Sequence, residues 1–259
     1  MRDILVYLKH VPEHFKSGPW SWAAFLYIFL YFFALVYYYQ EVDFDEPEFH
    51  FDNIPSWIPY FRLTCSLYCF VITVVMVCYA GPLPLTTYTM TSWNLLTLRL
   101  LTSYLGDLGY EWAFNLSQLI LFPALVGCTV TCTIWWLVLT PLISSLLQKK
   151  KKDHTQFWKW NTSFMLINLH GMMLVFAAID YVYCGRHLEV CDLWLALLIA
   201  FVYVVFYLLV LDPQGLHFYI ILTPRTPYCV VSYSLILLTY YGCYLGWNQL
   251  SKYAFISED

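Results

Sequence analysis

Thr91-Ser-Trp-Asn-Leu-Leu-Thr-Leu-Arg-Leu-Leu-Thr-Ser-Tyr-Leu-Gly106 is apolar enough to enter a membrane, yet it carries Asn94, Thr97, Arg99, Thr102 and Ser103. As a helix rising 1.5 Å per residue it spans about 24 Å. Polar and charged groups at membrane depth are costly, so they face a bundle interior, where they tie helices together or serve a site. Asn94 and Thr97 are three residues apart and share a face, while Arg99 points elsewhere. A helix of this kind needs apolar neighbours to enclose it.

The rest of the chain supplies them. Of its 259 residues 61% are hydrophobic, 20% aromatic and only 12% charged, against about 25% charged in a soluble domain. This is the composition of an integral membrane protein, and the aromatic load suits helix ends in the interfacial belt. Apolar runs predict an all-α, polytopic transmembrane helix bundle of about seven spans, near 20–40, 61–80, 88–105, 119–140, 161–183, 193–211 and 228–247. All belong to one domain, with no internal repeat. The first run ends in bulky aromatics without a small-residue cleavage site, so it reads as a retained helix rather than a removed signal peptide. The fourth apolar region, 114–147, exceeds one crossing, and Pro123 and Pro141 are expected to kink or end it.

Basic residues orient the bundle. With the N-terminus in the cytosol, the cytosolic segments hold nine: Arg2, Lys9, Lys16, Lys149, Lys150, Lys151, Lys152, Lys159 and Arg225. The other side holds three, Arg62, Arg186 and Lys252. The acidic segment Glu41–Asp52 then faces outward or into a lumen, and the host membrane is the endoplasmic reticulum or the plasma membrane. Most of the nine cysteines fall inside apolar spans, where thiols behave as small hydrophobes. Cys184 and Cys191 instead bracket a short polar loop, where a disulfide or a free pair are equal alternatives. Two glycosylation sequons, Asn115-Leu-Ser and Asn161-Thr-Ser, lie close to the membrane.

Few chemistries suit this bundle. Of seven histidines only His170 lies well inside a span, so haem ligation by opposed histidines has no second ligand. Asp180 stands alone as an intramembrane acid, no His-Glu-x-x-His or Gly-x-Ser-x-Gly motif occurs, and no lysine lies within a span. No Cys/His spacing matches a zinc site, so neither metal nor other cofactor is expected. The chain has no nucleic-acid-binding pattern, and its expected partners are membrane lipids. Arg99 is expected to be structural, and Asp180 is the only acid within a clear span to pair with it, although it lies near the far end of span five. Thr97 and His170 each lie about nine residues, or 13–14 Å, from the expected cytosolic ends of their spans. A hydroxyl and an imidazole at one level form a nucleophile and its base if their faces meet. Asn94, one turn before Thr97, would then support an oxyanion.

Trp93-Asn-Leu-Leu-Thr97-Leu, Leu121-Phe-Pro123 with its later tryptophan pair, and Asn168-Leu-His170-Gly-Met-Met-Leu174-Val-Phe176 leading to Asp180 together resemble the androgen-induced-protein family of multipass fatty-acid-ester hydrolases. The resemblance covers roughly 56–247. It implies that Thr97 and His170 fall on the family's essential intramembrane threonine and histidine. It also implies fatty-acid esters of hydroxy fatty acids, or similar esters, as substrates. The chain departs from the family in its extra N-terminal span and in Ile167, which stands where the family has a second histidine. Ser56-Trp-Ile-Pro-Tyr-Phe-Arg62 and Thr91-Ser-Trp-Asn94 are also similar to the rolling-stone proteins. They imply the alternative, a non-catalytic membrane protein in adhesion, fusion or lipid sensing.

Overall fold

The computed structural model describes residues 13–40, 42, 55–148, 151–219 and 222–255. Most of the acidic segment, Arg2, Lys9, Lys149 and Lys150 lie outside the described residues. Among the described residues nine longer helices follow in order: α1 (Trp22–Tyr39), α2 (Ile58–Ala80), α3 (Tyr88–Asp107), α4 (Glu111–Leu119), α5 (Leu121–Leu147), α6 (Lys151–Asn161), α7 (Phe164–Val182), α8 (Val190–Gln214) and α9 (Cys229–Phe255). Six of them, α1, α2, α5, α7, α8 and α9, are long and apolar enough to cross a membrane. The chain is thus an integral membrane protein. Helix α3 is long enough at 20 residues, but its polar content keeps it out of that set.

Short polar residues start these helices. Ser21 Oγ accepts from Ala23 N–H, Thr87 Oγ1 from Met90 N–H and Ser163 Oγ from Leu166 N–H, each satisfying a donor that the first turn leaves open. Helix α8 opens on a reciprocal cap between Glu189 and Asp192. Gly81, at φ 75°, ends α2 in a backbone region that other residues resist.

The long apolar region divides differently from the expectation. Ile120, at φ −95° and ψ 6°, breaks the chain into α4 and α5. Pro123 causes no kink, because it sits in the first turn of α5, where a missing N–H has no partner to lose. Pro141 does act within the helix. It cannot donate to the carbonyl four residues back and its ring presses on that group. The helix widens into a π-turn at Ile134–Leu139, immediately before it. Helix α8 repeats the arrangement, with a π-turn at Tyr207–Leu211 two residues before Pro213. A third π-turn, Asn168–Met172 in α7, contains Gly171 and no proline.

Seven helical rods run alternately up and down, with α4 and α6 lying at opposite ends. At one end α4 meets the 183–189 loop through Arg186, which donates to the Gln118 side chain and backbone. At the other end the Leu83–Thr86 turn, α6, Leu216, Phe218, Tyr219 and Leu222 come together; Ser21 N–H donates to Pro224 C=O there. Helix α3 fills the centre. Trp93 is fully buried and donates to Cys69 C=O at 3.0 Å. A Cβ on Gly127 would come within 2.8 Å of Ser92 Oγ, so α3 and α5 touch where a side chain would not fit.

The α4 end is held by charge. Asp180 accepts from Arg62 Nε at 2.8 Å and from Arg99 Nε at 2.9 Å. Arg62 also clasps Asp107 with Nη1, and Arg99 Nη1 donates to Ser117 C=O at 2.6 Å. Arg62, expected among the loop cations of one face, is therefore buried at 4% exposure. The distance in sequence depth between Arg99 and Asp180 is bridged by the long guanidinium side chain. Cys184 and Cys191 are free thiols: Cys184 donates to Arg186 C=O and Cys191 approaches the Glu189 carboxylate, so no bridge joins them. Asn161 is fully buried, its Oδ1 accepting from Trp135 Nε1 at 2.8 Å, which closes that sequon to a glycan. Asn115 is exposed.

Candidate functional site

The end away from the Arg62–Arg99–Asp180 cluster holds a cavity of about 630 Å³, walled by α2, α3, α5, α7, α8 and α9 and approached by α6 and by Leu216, Phe218, Tyr219 and Leu222. The volume falls in the range of ligand pockets, about 300–1,000 Å³. Its wall is predominantly aliphatic and aromatic, and His170, Thr89, Thr131 and Tyr219 are among its few polar members.

Two π-turns build the polar part. A π-turn removes one residue from helical register and leaves backbone groups to find partners off the helix, which is why such turns concentrate at functional sites. The turn that Pro141 induces brings two consecutive tryptophans of α5 against the π-turn of α7. Trp135 stacks on the His170 ring, centroids 4.1 Å apart and planes 25° apart. Trp136 Nε1 donates to the His170 carbonyl at 2.5 Å. The imidazole is 6% exposed, held from its face and through its backbone. Its Nδ1 lies 3.3 Å from Leu166 C=O, which can only accept. The proton of a neutral imidazole therefore sits on Nδ1, and the lone pair on Nε2 points at Thr89 Oγ1, 3.5 Å away. The Thr89 backbone N–H reaches the Tyr219 hydroxyl, also at 3.5 Å.

The structure does not bring Thr97 and His170 together. Thr97 lies two turns beyond Thr89, about 12 Å along α3. Its hydroxyl donates to Trp93 C=O at 2.9 Å, a local back-bond that satisfies it within its own helix. Asn94 likewise faces α2, where its Oδ1 accepts from Thr73 Oγ1 at 2.9 Å. Neither residue lines the cavity. Arg99 and Asp180 belong to the ion-pair cluster at the far end. Among the described residues no group of His, Cys, Asp and Glu is arranged to hold a metal.

Thr89 had escaped sequence reasoning. It stands in the first turn of α3, three residues before Ser92, and no spacing to His170 marks it. A second hydroxyl–imidazole pair, Ser144 Oγ and His154 Nε2 at 3.0 Å, lies away from the cavity wall. Trp158 Nε1 already donates to the same Nε2 at 3.2 Å, so that lone pair is taken. Comparison with known proteins found no matching family model, no matching curated protein and no matching solved structure.

Proposed function

We propose that this protein is a membrane lipid ester hydrolase that takes an acyl chain into the cavity, with His170 as general base and Thr89, rather than Thr97, as nucleophile. The observation that carries the reading is the tautomer: a histidine fixed at Nδ1 by a carbonyl presents a free Nε2 to a hydroxyl on the wall of an apolar cavity. A threonine hydroxyl is a weak nucleophile until an adjacent base takes its proton. As Oγ1 bonds to the ester carbonyl carbon, that proton passes to Nε2. The C–O bond to the alcohol then breaks and His170 returns the proton to the departing oxygen. Water, activated by the same nitrogen, releases the fatty acid from Thr89. No metal or cofactor enters these steps.

The resemblance to the androgen-induced-protein family supports His170 and an ester substrate, while the geometry favours a different threonine. We also take α3 as the seventh crossing. Its polar groups are spent inside the bundle, on Asp180, Thr73 and the contact with Gly127, which makes its low apolarity compatible with membrane depth. The basic bias supports a cytosolic N-terminus, which puts the cavity in the cytosolic half. A non-catalytic lipid sensor is the second reading. It is favoured by the 3.5 Å Thr89–His170 separation, at the outer limit of a hydrogen bond and better suited to holding a ligand than to passing a proton.

The test is hydrolysis of a branched fatty-acid ester by wild type, His170→Ala, Thr89→Val and Thr97→Val in matched micelles. Loss in the first two variants and retention in the third is the expected result. Loss confined to Thr97→Val would overturn the assignment. An inactive but lipid-binding wild type would leave the sensor.

A further inference from the structure

We propose that Thr131 is the hydrogen-bond donor that fixes the carbonyl oxygen of the bound acyl ligand, a role that rests on the cavity holding such a ligand. Five buried side-chain polar atoms lack a hydrogen-bond partner among the described residues: Ser103 Oγ, Thr131 Oγ1, Thr140 Oγ1, Asn161 Nδ2 and Arg225 Nε. Of these residues Thr131 alone lines the cavity. Its Oγ1 is closed off from water in the ligand-free protein, and an unsatisfied buried hydroxyl costs about 1–3 kcal/mol; a turn between the two χ1 rotamers that a helical threonine adopts is what would bring it to a ligand.

The other threonines of the bundle show the usual solution. Thr97, Thr102, Thr129 and Thr239 each donate to the carbonyl four residues back. Thr131 makes no such bond. Other buried or half-buried hydroxyls of the wall are engaged. Thr87 donates to Pro84 C=O, Tyr203 to Thr86 C=O, and the Tyr88 and Tyr240 hydroxyls bond to each other. Among the described residues Thr131 is the buried hydroxyl of that wall left without a partner.

Its position suits the task. Trp135, which stacks on His170, follows Thr131 by four residues along α5, so the two share a face one turn apart. A carbonyl oxygen accepting from Thr131 would sit on the same wall as the imidazole, with its alkyl chain against the aliphatic lining. Among the described residues the wall has no second buried orphaned donor to hold a doubly charged headgroup, so the ligand proposed is an acyl compound with one carbonyl: an ester or the free acid.

The experiment measures binding of tritiated methyl oleate, oleic acid and 1-octadecene to purified wild type, Thr131→Val and Thr131→Ser, in the same detergent. Valine keeps the shape and removes the hydroxyl. Thr131→Val should weaken methyl oleate binding about fivefold to tenfold, the worth of one net hydrogen bond, and leave 1-octadecene unchanged, with Thr131→Ser restoring the difference. A loss on oleic acid as well would assign the free acid to the same contact; a loss on the ester alone would assign the ester. The ligand-free melting temperature of Thr131→Val should stay level or rise, since an orphaned polar group is removed. Equal weakening of all three ligands, no weakening of any, or a lowered melting temperature with unchanged binding would overturn the proposal. A wild type that binds methyl oleate but does not cleave it defeats the hydrolase and leaves Thr131 standing. A wild type that binds none of the three defeats both.

Discussion

The carboxylate cluster at the α4 end and the polar part of the cavity wall handle buried polarity in opposite ways. At the α4 end, Arg62, Arg99, Asp107 and Asp180 answer one another, and each guanidinium also finds a backbone carbonyl. At the cavity end, a histidine keeps one nitrogen for a long contact and a threonine has none. The number of polar groups does not separate the two ends. What separates Asp180 with its two arginines from His170 and Thr131 is whether the groups are used up by the protein itself. A closed network holds helices together, whereas an open one beside empty volume has capacity for a ligand.

The most severe way to probe the contrast is to open the closed end. Asp180→Ala leaves Arg62 and Arg99 buried without their shared carboxylate, and breaking a buried pair costs about 3–5 kcal/mol. Unfolding in detergent should show that loss, and wild-type stability in Asp180→Ala would remove the contrast. At the open end the effect should fall on rate. His170→Ala and Thr89→Val should each lower ester hydrolysis by about 10²–10⁴-fold, the usual yield of general base catalysis, with the helical circular dichroism unchanged. Smaller effects should follow from the residues turned away from the cavity. Thr97→Val should hold its rate, and Asn94→Ala should lower stability by about 0.6 to 1.7 kcal/mol, as for a hydrogen bond between membrane helices. A rate loss in either would place the reaction deeper along α3.

The smallest effect concerns the connection over the cavity. Burial pushes the His217 imidazole below its ordinary 6.5; the Asp212 carboxylate opposes the shift, while Arg225 and Lys16 add to it. A folded-state value below the unfolded one means that the unfolded chain binds more protons in the window beneath 6.5. The contribution is complete above that value and declines as pH falls. Melting temperatures between pH 7 and pH 5 should fall slightly in wild type, and His217→Gln should flatten that part of the fall. A steeper fall in the variant would reverse the sign.

The apolar rods were legible in the sequence because long hydrophobic runs permit little else in a membrane. The division at Ile120 was not, since it is a backbone choice within a continuous apolar run. His170 was legible by its isolation. Its hydroxyl partner was not, because depth counted from span ends gives no rotation, and a threonine such as Thr97 can satisfy itself on its own helix. Arg62 was misplaced for a related reason: near a helix end, sequence does not tell a loop cation from one folded back onto a carboxylate. Pro141 was legible as a disturbance. That it would widen the helix and bring two tryptophans onto His170 needed the opposing helix to be visible.

The ion-pair cluster also imposes an order on biosynthesis. Asp107 follows Arg62 by 45 residues, so the first arginine meets a carboxylate soon after α3 emerges. Arg99 must wait for Asp180, 81 residues later. At about 5–20 residues per second, that is about 4–16 s of elongation. With α3 taken as a crossing, as proposed above, Arg99 lacks its carboxylate until α7 arrives, which favours keeping the nascent helix beside water rather than releasing it into lipid. Truncated chains ending before Asp180 should remain crosslinkable to the insertion machinery, while chains extending past it are released.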